Sequence, residues 1–133
     1  MVRLYRRGFR AEPGYDAGVN LTAALRLSAQ HFGIAVDLGE AREALTVSRF
    51  FARRDQADHP DAFWPAVTLA ELDLHDALLA GAPDTASVAD GYRRAAALPA
   101  PSRWRGSAVD QLRLFARAGD DQALIGELIR IVG

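Results

Sequence analysis

"YRRGFRAEPGYDAGVNLTAALRLSAQ" (residues 5–30) and "YRRAAALPAPSRWRGSAVDQLRLFAR" (residues 92–117) are two versions of one pattern. Each opens with Tyr-Arg-Arg, at Tyr5 and at Tyr92, and each places a small residue three positions later, Gly8 and Ala95. A proline-containing turn follows in both, and then an amphipathic helical pattern begins. A small residue lets two helices approach, an aromatic fills the gap beside it, and a proline ends the helix. A repeat of this kind ranks above any local reading, because repeated units bury their apolar faces on one another.

Working outward, turn residues punctuate the chain at Pro13-Gly14, Gly33, Gly39, His59-Pro60, 81–84, 99–102 and Gly119-Asp120. The intervals have helical length and helical periodicity. The first, about 17–32, carries Val19, Leu21, Leu25, Leu27 and Phe32, with Gly33 as its C-cap. The second, about 40–54, has Leu45, Val47, Phe50 and Phe51. The third follows Pro60 with Asp61 as the expected N-cap; it is apolar nearly all round and is expected to be the central helix. Three more follow at about 85–98, 103–118 and 121–132. Short connectors between helices of similar length make antiparallel neighbours. The expectation is one all-α domain over residues 1–133, with three helical hairpins in 14–133. Residues 1–13 would be the tail of a preceding repeat or an N-terminal cap helix.

Composition narrows the function. Cysteine is absent, which excludes a disulfide framework and thiolate zinc sites. The basic N-terminus lacks the apolar run of a signal peptide, and no stretch has the length of a membrane span. A cytoplasmic protein that does not enter membranes is the expectation. The net charge of −1 hides a strong segregation. Residues 1–10 hold four arginines and no acid, and residues 55–90 hold eight acids with no Arg or Lys. These blocks can steer a partner or pair with each other across packed helices. All-Arg usage beside abundant Ala suggests a GC-rich, bacterial genome. A sequence pI near 6.3 argues against nucleic acid as the partner.

No catalytic constellation emerges: serines lack a nucleophile elbow, and no glycine-rich phosphate loop is present. His31 reads as a cap or packing residue, His59 as a loop residue, and Asp120-Asp121 as the N-cap of the last helix. Asp73 and Asp76 share a face, which for exposed carboxylates usually means solvation. Trp64, Thr68, Glu71 and His75 follow steps of four, three and four, which places them on one helical stripe. Glu71 and His75 would supply only two ligands of a metal site, so no metal or cofactor is expected. The stripe either faces a groove that receives a partner or bonds to the arginines of the 103–118 segment. With Asn20, these four residues are the candidate partner-binding set.

The order Tyr5, Gly8, Pro13, Asn20, Leu21 resembles the tetratricopeptide repeat. The 87-residue offset between Tyr5 and Tyr92 is not a multiple of about 34, so the intervening hairpin should be expanded near residues 54–61. "YRRGFRAEPGYDAGVNLTAALRL", "FWPAVTLAELDLHDALLAG" and "YRRAAALPAPSRWRGSAVDQLRLFARAG" together are similar to the TRAFs-binding domain family, the regulatory region of apoptosis signal-regulating kinases in animals. The likeness covers nearly the whole chain but only the C-terminal part of the family's domain. The step from Tyr15 to Asn20 has one residue more than the family's pattern, and kinase elements are absent. The resemblance implies a short right-handed, tetratricopeptide-like solenoid. Its function would be that of a non-enzymatic protein–protein interaction scaffold in signalling, binding an effector domain or subunit on its concave face. The alternative is a helical sensor domain that binds a small ligand or nucleic acid and regulates its neighbour.

Overall fold

The computed structural model describes residues 2–11, 15–81 and 84–133, and among these all regular structure is helical. Helix α1 (Val2–Ala11) precedes α2 (Tyr15–His31), α3 (Leu38–Asp58), α4 (Phe63–Ala80), α5 (Thr85–Ala96), α6 (Ser102–Ala118) and α7 (Gln122–Val132). The turn at Pro13-Gly14 lies outside the described residues.

Local chemistry explains most of the boundaries. The side chains of Asp37, Asp84 and Asp121 accept hydrogen bonds from the N–H groups of Gly39, Ser87 and Leu124, satisfying donors that the first turn leaves open. Gly81 ends α4 in the left-handed region at φ 77°, where a Cβ would be strained. One expectation fails here. Asp61 does not cap α4: Ala62 holds the N-cap position without a side-chain bond, and Asp61 is exposed one residue earlier. Pro65, in the first turn, has no N–H and so removes one of the donors that a cap would serve. Around 54–61, where the first hairpin is expected to be expanded, the added length is helical. Helix α3 continues to Asp58, and the His59 N–H closes its end on the Asp55 carbonyl.

Consecutive helices pair, α2 with α3, α4 with α5 and α6 with α7, while α1 lies against α2. The hairpins join through α3–α4, α2–α4 and α5–α7, and α2 also touches α6. The first and third hairpins therefore meet, and α2 is enclosed by α1, α3, α4 and α6. That enclosure explains why every residue from Leu21 to Ser28 is buried. Helix α4 was expected to be the one central helix; α2 shares that position with it.

Two apolar clusters hold the fold. The larger joins Leu27, Phe63, Leu74, Tyr92, Leu112, Phe115, Ile125 and Leu128, from α2 and α4 to α7. Burying one such side chain contributes about 1.5–3 kcal/mol. The smaller gathers Leu21, Leu25, Ala41 and Ala44 under Val2, Tyr5 and Phe9 of α1. Helices α2 and α3 approach closely at Gly18, where an added Cβ would collide with the buried Ser48 hydroxyl. The two copies of the repeat are used differently. Ala95 is fully buried, but Gly8 is exposed with open space where a Cβ would stand, so its small size serves no helix contact. Among the described residues no helix is long and apolar enough to cross a membrane.

Candidate binding cleft

One cleft, of about 280 Å³, is shared by all three hairpins. Helix α2 contributes Asp16, Val19 and Asn20; α4 contributes Trp64, Val67, Thr68 and Glu71; α6 contributes Ser107, Ala108 and Gln111; and α5 contributes Tyr92. The helical repeat places these residues, since Asp16 and Asn20, Trp64 and Thr68, and Ser107 and Gln111 are each four apart. Trp64 stands at one end, packed edge-on to Phe63 with ring centroids 5.4 Å apart and tilted toward Trp104 at 5.9 Å. Tyr92 is 2% exposed and Thr68 8%, yet among the described residues neither hydroxyl has a hydrogen-bond partner within the protein. Both open to the cleft instead.

Beneath the cleft lies a buried ionic cluster centred on Arg26, which is wholly out of water. Its Nη1 and Nη2 donate to the two carboxylate oxygens of Asp120 at 2.9 and 2.7 Å, its Nη1 also donates to Gln30 Oε1, and its Nε donates to His75 Nδ1 at 2.8 Å. A guanidinium can only donate, so Nδ1 of His75 must be the accepting nitrogen and Nε2 carries the ring proton. That proton is donated to Glu71 Oε2 at 3.0 Å. Burial holds His75 below the ordinary histidine pKa, against the opposing pull of Glu71, so the ring is neutral. Asp120 also accepts from His31 Nε2 at 2.7 Å. Burial pushes the Asp120 carboxyl up, but the hydrogen bonds and charge of Arg26 outweigh it and hold the group below its usual range.

Phe115 seals this cluster. Its ring meets His75 edge-on at 5.0 Å and lies 5.6 Å from the Arg26 guanidinium carbon. Arg26 and Asp120 thus form an ion pair to which His31 is also bonded, and Glu71 presents its second carboxyl oxygen at the cleft wall. Burial, and next the charge of Glu71, push the Tyr92 phenol well above its usual pKa, so it stays a neutral hydroxyl.

The structure brings Asn20, Trp64, Thr68 and Glu71 together on the cleft. His75, on the same stripe, is fully buried one turn further along and acts from below by orienting Glu71. Its charged partner is Arg26 of α2, not the arginines of α6, because α2 is the helix that faces α4 at this level. His31 and Asp120 are parts of the ionic cluster, whereas the capping role falls to Asp121 alone. Both ring nitrogens of His75 are engaged, and among the described residues no group of three His, Asp or Glu side chains is arranged to hold a metal ion. Asp73 and Asp76 lie outside the cleft and share Arg49 of α3 at 2.8 and 3.5 Å, so this part of the acidic block pairs with an arginine that lies outside the N-terminal basic block. Of the N-terminal arginines, Arg6 pairs with Glu40 of α3.

Arg26, Asp120 and Tyr92 were not among the sequence candidates for the site. Arg26 carried one signal: it is the only charge within the apolar run from Leu21 to Leu27. Compared with known proteins, the chain matches no family model, no curated protein and no solved structure, so the meaning of the cleft rests on its own chemistry.

Proposed function

We propose that the protein is a non-catalytic interaction scaffold that receives a partner protein in the cleft between its hairpins. The observation that carries this reading is the origin of the lining: the first helix of every hairpin, α2, α4 and α6, contributes to one cleft. In stacked hairpin arrays of the tetratricopeptide kind, the first helices form the concave binding face. The pairing of consecutive helices supports that architecture, whereas the contact of α2 with α6 departs from an open array, in which each hairpin touches only its neighbours. A groove built on a buried, fully bonded floor also loses little freedom when it binds. The resemblance to TRAFs-binding domains extends the reading to a regulatory module of signalling.

The test is capture from cell lysate by the wild-type chain and by Ser107→Trp, which fills the cleft from an exposed position on α6. A stoichiometric protein held by the wild type and released by the variant, with circular dichroism unchanged, supports the reading. Equal capture by both chains would remove the cleft from the function.

A further inference from the structure

We propose that the cleft is a receptor for a guanidinium group, the head of an arginine side chain presented by the partner. This deepens the scaffold reading and rests on it. Two carboxylates, Asp16 and Glu71, line the cleft, and no Arg or Lys does. Glu71 is held at one oxygen by the neutral His75, while its Oε1 has no hydrogen-bond partner among the described residues. Behind it Arg26 is paired with Asp120, so the charged side chains that line the cleft itself are both acidic and favour a cation there.

Independent of the acids, the nearly buried hydroxyls of Tyr92 and Thr68 face the same space without partners. With the rest of each side chain buried, these hydroxyls reach solvent only through the cleft, so they are fixed donors and acceptors that a ligand there can use. Hydroxyls can serve an anion or a cation, but the two carboxylates decide against an anion. A hard divalent metal would need more carboxylate or histidine ligands than the cleft offers. A flat, delocalised cation fits better. It can bond in its plane to Glu71 Oε1 and the hydroxyls, while the apolar stem of the arginine side chain runs along the cleft toward the Trp64 indole. The volume, about 280 Å³, suits one long side chain rather than a folded segment.

The experiment titrates the full chain, followed by NMR of the Trp64 indole and the Asn20 and Gln111 side-chain amides. The probes are acetyl-Gly-Arg-Gly-amide, its lysine and citrulline counterparts, and methylguanidinium. The expected result is saturable shifts with the arginine peptide, weaker ones with lysine, and none with uncharged citrulline. Glu71→Gln should weaken binding about tenfold or more. Thr68→Val, which leaves the ionic cluster intact, should weaken it by a smaller factor. Citrulline equal to arginine, or no saturable shift, overturns the proposal. Methylguanidinium binding as tightly as the peptide overturns the partner's arginine as the source and points to a free guanidinium compound. The Ser107→Trp capture experiment judges the scaffold reading separately: a captured protein with no arginine response sinks only the guanidinium assignment.

Discussion

Arg26 and Asp120 stand 94 residues apart in the chain and meet as a two-pronged ion pair, at 2.9 and 2.7 Å, with side chains 0% and 3% exposed. The pair links the first hairpin to the turn between the helices of the third. Removing one partner strands the other's charge away from water, a worse outcome than removing both. Asp120→Ala should therefore destabilise the fold by about 3–5 kcal/mol. The double variant Arg26→Met/Asp120→Ala should recover part of that loss but not all, since His75 Nδ1 then lacks a donor. Urea denaturation of the four proteins of the cycle measures the coupling, and additive losses would refute a direct pair.

His75 gives the stability a pH dependence whose sign follows from burial. Its pKa in the fold lies below the ordinary 6.5, so the unfolded chain takes up a proton that the folded chain resists. The contribution is complete above about pH 6.5 and is lost as pH falls below it toward the folded value. The ring faces Arg26 on one side, Glu71 on the other and Phe115 across its edge, and none of these contacts accommodates a second ring proton without losing the Arg26 bond. Denaturation midpoints between pH 7.5 and 5 should fall for the wild type and fall less for His75→Gln. Asp120, also held low, adds a separate loss as pH drops below 3.8. Parallel curves for the two proteins would assign the dependence to other groups.

Gly18→Ala should cost about 1–3 kcal/mol, because the new methyl enters the space of the Ser48 hydroxyl and lies 3.2 Å from Phe9. Ser48→Ala in the same chain should restore part of it. Thermal unfolding of the single and double variants decides the point, and a neutral Gly18→Ala would mean that α2 and α3 have room to separate.

The N-caps make a contrast that sequence alone ranks wrongly. Asp84→Ala and Asp121→Ala each remove a bond to a helix N–H and should cost about 1 kcal/mol. Asp61→Ala should change stability by no more than about 0.5 kcal/mol. Equal losses at all three positions, measured by urea midpoints, would restore the cap at Asp61.

What the sequence disclosed was local. Leucines and alanines at helical spacing, with glycine and proline between them, located six of the seven helices and the stripe of Trp64, Thr68 and Glu71, and the partial helix before them matches α1. Helix ends followed where one residue decides them, as at Gly81 and Asp121. The ionic cluster escaped because its members lie on different helices and each has an ordinary local explanation. An arginine in an amphipathic helix reads as surface, and an aspartate before a helix reads as a cap. Tyr92 was read as packing, which is true of its ring, but its hydroxyl belongs to the cleft. Side chains with two roles show only one of them in a periodic pattern.

The distance along the chain between Arg26 and Asp120 also has a consequence for biosynthesis. Translation proceeds at roughly 5–20 residues per second, so Asp120 is added roughly 5–20 s after Arg26. Throughout that interval the nascent helix α2 carries a guanidinium without its counter-ion, and packing α4 over it would seal an unpaired charge. Water has to keep access to that surface until α6 and the turn beyond it emerge from the ribosome. The cost of burying that unpaired charge therefore disfavours tight packing of the early hairpins and favours closure only once the segment that completes the ionic cluster has arrived.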